Sequence, residues 1–66
     1  MGVARITEIS ATSTESFEDA IQQGVRRACE TLRNVKSAWI KEQSVNVEND
    51  AITSYQANMR VTFVLE

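Results

Sequence analysis

Sixty-six residues with seven Lys/Arg against nine Asp/Glu give a formal net charge of −2, which lacks the basic excess of a nucleic-acid binder. One cysteine and no histidine exclude an internal disulfide and a zinc site of the usual Cys/His kind. A single domain of this size buries only about 60% of its unfolded surface, so self-association is the reinforcement that remains.

The N-terminal segment, Val3 to Ala11, mixes Val3, Ile6 and Ile9 with Arg5, Thr7 and Glu8, and its β-branched content predicts a first strand. "MGVARITEIS" has one arginine and no long apolar region, so it does not read as a signal peptide. Ile6 stands where a myristoylation signal wants Ser or Thr. The polar cluster Thr12 to Ser16 predicts a loop.

A helix follows. Ser16 and Asp19 form a capping-box variant, with Glu18 and Asp19 at the positive end of the dipole. Phe17, Ala20, Ile21, Val25, Ala28, Leu32 and Val35 recur at spacings of three and four, an apolar stripe along about five turns. Gln22, Gln23, Arg26, Arg27, Glu30 and Arg33 lie opposite. The arginines alternate with glutamates, which fits a solvated or salt-bridged face better than phosphate binding. Gly24 lies on the stripe, and a close helix–sheet approach accounts for it. Cys29 borders the stripe and reads as a small buried hydrophobe; without a histidine to activate it, a papain-like nucleophilic role is not expected.

The second strand runs from about Ser37 to Glu48. Ala38 and Ile40 are apolar on even positions, Val45 and Val47 on odd ones. A period of two cannot place both pairs in one core, so a β-bulge is expected between Lys41 and Ser44. On that reading Ser37 and Trp39 point away from the helix. The alternative is an ordinary core tryptophan with no bulge. Glu48 to Ala51 predicts a turn. In the last strand Tyr55, Ala57, Met59, Val61, Phe63 and Leu65 alternate with Ser54, Gln56, Asn58, Arg60 and Thr62, so Gln56 shares the face of Trp39.

The fold class is therefore α+β, a β-α-β-β chain over residues 1–66. A three-stranded antiparallel sheet carries one long helix on one face and leaves the other bare for assembly. No run approaches the roughly 20 apolar residues of a membrane span, and a cytoplasmic location is the expectation. Without a histidine, a Gly-rich phosphate loop or a spaced acid–base pair, no enzymatic role is expected.

"TSTESFEDAI", "RACETLRNV" and "YQANMRVTFVLE" resemble the dodecins, small flavin-binding proteins of bacteria and archaea, over nearly the whole chain. The resemblance implies a hollow homododecamer that holds flavin, riboflavin or FMN, at subunit contacts for storage and quenching. It implies a glutamine on the last strand that bonds the ring edge, matched by Gln56, and a stacking tryptophan on the second strand. Aligned without gaps, the stacking position falls on Ser37, and Trp39 lies two residues, about 6.5 Å, further along the same face. Arginines that contact an FMN or coenzyme A phosphate in some members fall on Ser44 and Val64, so both are missing. The candidate binding residues are thus Trp39, Gln56 and Ser37. The alternative is a dodecin-like assembly without flavin, in which Trp39 packs subunit on subunit and a metal ion or another small ligand is bound. Glu42, Glu48 and Asp50 offer oxygen ligands for Ca²⁺ or Mg²⁺ but read better as plain surface charge, and no metal site is assigned.

Overall fold

The computed structural model describes residues 2–65. Strand β1 (Val3–Ser13) leads to helix α1 (Phe17–Thr31), then β2 (Val35–Glu48) and β3 (Ala51–Leu65). The sheet has three antiparallel strands in the order β1-β3-β2. The expected α+β, β-α-β-β architecture is the one observed.

Strand β1 runs two residues past its expected end, because the Thr12–Ser13 pair keeps its ladder with Gln56 and Tyr55. Ser13 is buried, and its hydroxyl donates to Asp19 Oδ2 at 2.6 Å and accepts from the Glu15 N–H at 2.9 Å. The hydroxyl thereby ties the strand end to the first helical turn. Ser16 is the N-cap, and its Oγ accepts from the Asp19 N–H at 3.0 Å. The Asp19 carboxylate turns outward to accept from Ser13 and Gln23.

Helix α1 has 15 residues, about a turn short of the apolar periodicity. Leu32 leaves the helix as its C-cap in extended backbone. Asn34 takes a left-handed conformation, φ 59°, and its carbonyl accepts from the Val64 N–H at 3.1 Å. Val35, expected on the helical stripe, instead opens β2 opposite Phe63.

The buried line of the helix is Ala20, Gly24 and Ala28. Small residues at a spacing of four let the helix settle closely on Ala57, Met59 and Val61, which are also buried. A Cβ on Gly24 would lie 2.9 Å from Met59 Cε and 3.1 Å from Ala11 Cβ, so the glycine sits at the close helix–sheet approach that was expected. Ile9, Ala11, Ile21, Val25, Leu32, Val35 and Ala38 pack around this centre. Cys29 is exposed, which corrects its reading as a buried hydrophobe. With so narrow a buried line, the residue next to Ala28 is rotated about 100° out of the contact.

The β2–β3 hairpin closes through Asn49 and Asp50, both at positive φ (52° and 63°). Two consecutive left-handed residues give a turn whose twist suits a two-residue hairpin. The described chain extends over 51 Å along its longest axis, while a 15-residue helix covers only about 22 Å. Phe17 meets the ring of Tyr55 edge-on at 5.2 Å, so α1 begins there and runs toward the Phe63 end of β3. The hairpin beyond Tyr55 projects without a helix over it.

Candidate functional site

The register between β2 and β3 decides which side chains share the open face. Ala38 and Ile40 pair with Val61 and Met59, and beyond a shift between Ile40 and Glu42, Gln43 and Val45 pair with Ala57 and Tyr55. Lys41 is the extra residue. A bulge therefore lies where the change of parity demanded one, at the N-terminal limit of the expected interval. Further irregularities occur at Lys36 and at Thr53. The two bulged residues of β2 are both lysines on a free sheet edge, an arrangement that discourages strand addition.

Because opposed residues in an antiparallel ladder share a face, the buried Met59 and Val61 fix Ile40 and Ala38 on the helix side. The outer face is then built in rows across β1, β3 and β2: Ile6, Thr62 and Ser37; Glu8, Arg60 and Trp39; Ser10, Asn58 and Glu42; Thr12, Gln56 and Ser44. No element of the described chain covers this face. Trp39 is 60% exposed and Ile6 50% exposed. The alternative of a core tryptophan is set aside by this register.

Polar contacts knit the rows together. Gln56 Nε2 donates to Ser10 Oγ at 3.0 Å and to Asn58 Oδ1 at 3.2 Å, and Asn58 Nδ2 donates to Glu42 Oε1 at 3.2 Å. With its amide N–H groups used inside the subunit, Gln56 keeps Oε1 as an acceptor for an outside donor. Arg60 Nε donates to Glu8 Oε2 at 3.2 Å, and Lys41 Nζ lies 3.6 Å from the same oxygen. This ion cluster was not among the residues that the sequence singled out. Its signal was the coincidence of Glu8, Arg60 and Lys41 on one face, which needs the register to be known.

Ser37, Trp39 and Gln56 thus share one face without meeting. Four residues of β3 separate the row of Gln56 from that of Trp39, about 13 Å, and Ser37 lies about 7 Å further still. An indole face suits a flat, electron-poor ring and an amide suits its polar edge. One subunit cannot present both to the same ring edge at that separation, so a site using both draws them from two copies. The acids are more scattered. Glu42 pairs with Asn58 and Glu48 with Ala51, six residues apart on β2, or about 20 Å. Among the described residues no three carboxylate, histidine or cysteine side chains come together. Within one subunit the described acidic residues do not fit a calcium cage, which takes six to eight oxygens.

A separate groove lies between the β1 edge and α1, floored by Ile9, Ala11, Gly24 and Ala28 and rimmed by Gln23 and Arg27. It contains none of the three predicted residues.

Residues 3–66 match the sequence model of the dodecin family. The chain is a member of that family. Among curated proteins, the calcium dodecin of Mycobacterium tuberculosis is 29% identical over 63 residues, covering 96% of this chain and 89% of that protein. The dodecin from Streptomyces davaonensis superposes with a TM-score of 0.93 at 32% identity, over 98% of this chain and 96% of that one. An Arg→Ala variant of the Thermus thermophilus dodecin does so with 0.93 at 33% identity, over 100% and 98%. A crystal structure of the M. tuberculosis calcium dodecin, described as having a novel calcium-binding site, gives 0.85 at 26% identity over 97% and 91%. Among the described residues no helix of this dodecin is long and apolar enough to cross a membrane.

Proposed function

We infer that this dodecin assembles into a hollow homododecamer in the cytoplasm and sequesters flavin, riboflavin or FMN, between its subunits without catalysing a reaction. The observation that carries the reading is the open sheet face, where an indole left 60% exposed by its own subunit shares a surface with the Gln56 amide. A lone exposed tryptophan of this kind is stable in water only at the expense of unburied apolar area, which a ring or a neighbouring subunit would cover. Trp39 supplies the stacking surface, Gln56 Oε1 accepts from a ring N–H, and Ser37 leaves room beside the indole. Because Trp39 and Gln56 stand apart within one subunit, binding and assembly are coupled.

The second reading keeps the shell and removes the flavin. Its support is the alignment that puts Ser37, not Trp39, at the stacking position and leaves Ser44 and Val64 in place of the phosphate-binding arginines. Similarity to a calcium dodecin supports it too. Trp39 then packs subunit on subunit, and a metal ion or another small ligand occupies the assembly.

The absorption spectrum of the purified oligomer, recorded with its native mass, separates these readings. Flavin bands on a dodecamer, with riboflavin and FMN fluorescence quenched at micromolar protein, are expected from the first. A colourless dodecamer that leaves both flavins fluorescent supports the second. A monomer would overturn both.

A further inference from the structure

Glu8, Arg60 and Trp39 are register partners across the three strands, which sets their Cβ atoms about 5 Å apart from strand to strand. Glu8 Oε2 serves two cations at once, Arg60 Nε at 3.2 Å and Lys41 Nζ at 3.6 Å. One carboxylate shared by two cations leaves a positive excess in the row that also holds the exposed indole. Of the other acids on this face, Glu42 is engaged by Asn58 one row toward the hairpin tip, on the side of Gln56, and Glu48 lies further out, opposite Ala51. Among the described residues Arg60 is paired through Nε, and a guanidinium carries two further nitrogens suited to forked contacts with phosphate.

We propose that Arg60 and Lys41 form an anion subsite beside Trp39, so that the planar ligand stacked on the indole carries a phosphate monoester. The inference rests on the flavin reading of Trp39 and deepens it: FMN, rather than riboflavin, is the preferred flavin. The chain lacks arginine at Ser44 and Val64, where the family resemblance implies phosphate contacts. Arg60 and Lys41 place the same chemistry at other positions of the same face. Glu8 is the internal competitor for this subsite. It holds both cations over the sheet in the free subunit, and the phosphate takes over part of their coordination.

Fluorescence-quenching titrations of the assembled protein with riboflavin and with FMN test this. FMN is expected to bind about tenfold more tightly, as befits one charge-assisted contact in a half-exposed place, with the preference shrinking as salt is raised. Arg60→Gln is expected to bring FMN down to the affinity of riboflavin. Glu8→Gln, which frees both cations, is expected to widen the preference. Opposite effects of these two substitutions distinguish an anion subsite from a structural ion cluster, in which either loss acts alike on both flavins. Riboflavin binding without an FMN preference overturns the subsite and leaves the flavin reading standing. Failure of both flavins to bind overturns that reading and the subsite with it.

Discussion

Trp39→Ala is the most informative single perturbation of this molecule, because the structure states how much of the indole is at stake. A tryptophan side chain contributes about 150–250 Å² of buried area when covered. With 60% of Trp39 left open by its own subunit, roughly 100–150 Å² is available to a neighbour or a ligand. At about 25 cal/mol per Å² that area is worth roughly 2.5–4 kcal/mol per subunit, or about two to three orders of magnitude in an association constant. The isolated fold loses only the covered remainder, and α1 and the core are untouched. The assay is native mass as a function of dilution, run beside riboflavin quenching on the same preparation. If a ligand covers the indole, quenching is lost by roughly two orders of magnitude and the dissociation midpoint of the flavin-free protein holds. If a subunit covers it, the midpoint moves and no quenching exists to lose. A variant that assembles and binds like the parent would refute the premise that anything covers the open part of Trp39.

Three further substitutions test the frame that positions the site, each read from urea unfolding at one fixed protein concentration, since assembly contributes to apparent stability. Gly24→Ala gains about 1 kcal/mol of helix propensity but drives a methyl to within 2.9 Å of Met59 Cε and 3.1 Å of Ala11 Cβ. Overpacking costs about 1–3 kcal/mol, so a net loss near 1 kcal/mol is expected. Met59→Leu, which withdraws the clashing methyl, should make Gly24→Ala neutral or stabilising. Ser16→Ala removes the oxygen that accepts from the Asp19 N–H and is expected to lose about 1 kcal/mol; an unchanged midpoint would count against that cap. Asp50→Gly supplies the residue best suited to the second left-handed position of the hairpin. It is expected to gain about 0.5 kcal/mol, and a lower midpoint would count against the turn assignment.

The outward face of Trp39 was legible in the sequence because it depended on parity alone. Even-numbered Ala38 and Ile40 and odd-numbered Val45 and Val47 cannot share a core side unless a residue is inserted, and Lys41 is that residue. The helix start was legible for a local reason too, since Ser16 and Asp19 contact one another. The helix end was not. Leu32 and Val35 continue the spacing of three and four, and no glycine or proline interrupts it. Only the left-handed Asn34 turns the chain, and it does so by bonding to Val64, thirty residues away. Cys29 was misread for a similar reason: periodicity marks an apolar stripe but not its width, and here only three small residues are buried along it. The Glu8, Arg60 and Lys41 cluster was out of reach because it depends on which residues of β1 and β2 oppose Arg60.

The same geometry explains why this chain cannot complete a site alone. A helix about 22 Å long lies on a molecule 51 Å long, so Val47 and Ile52 stay 59% and 54% exposed at the projecting hairpin. On the other side of the sheet no described element packs over Trp39 or Ile6. Apolar area is therefore left open on both faces of one sheet, an arrangement that a small domain with a single cysteine, and so no internal disulfide, tolerates poorly. One neighbouring copy placed on one face would leave the other exposed, so closure requires contacts on both. The proposed shell of many copies would meet that requirement, and on that proposal an indole from one subunit approaches an amide from another. The roughly 13 Å between the rows of Trp39 and Gln56 then becomes a property of the assembly: ligand affinity should fall when the assembly is diluted apart, even with every side chain of the site intact.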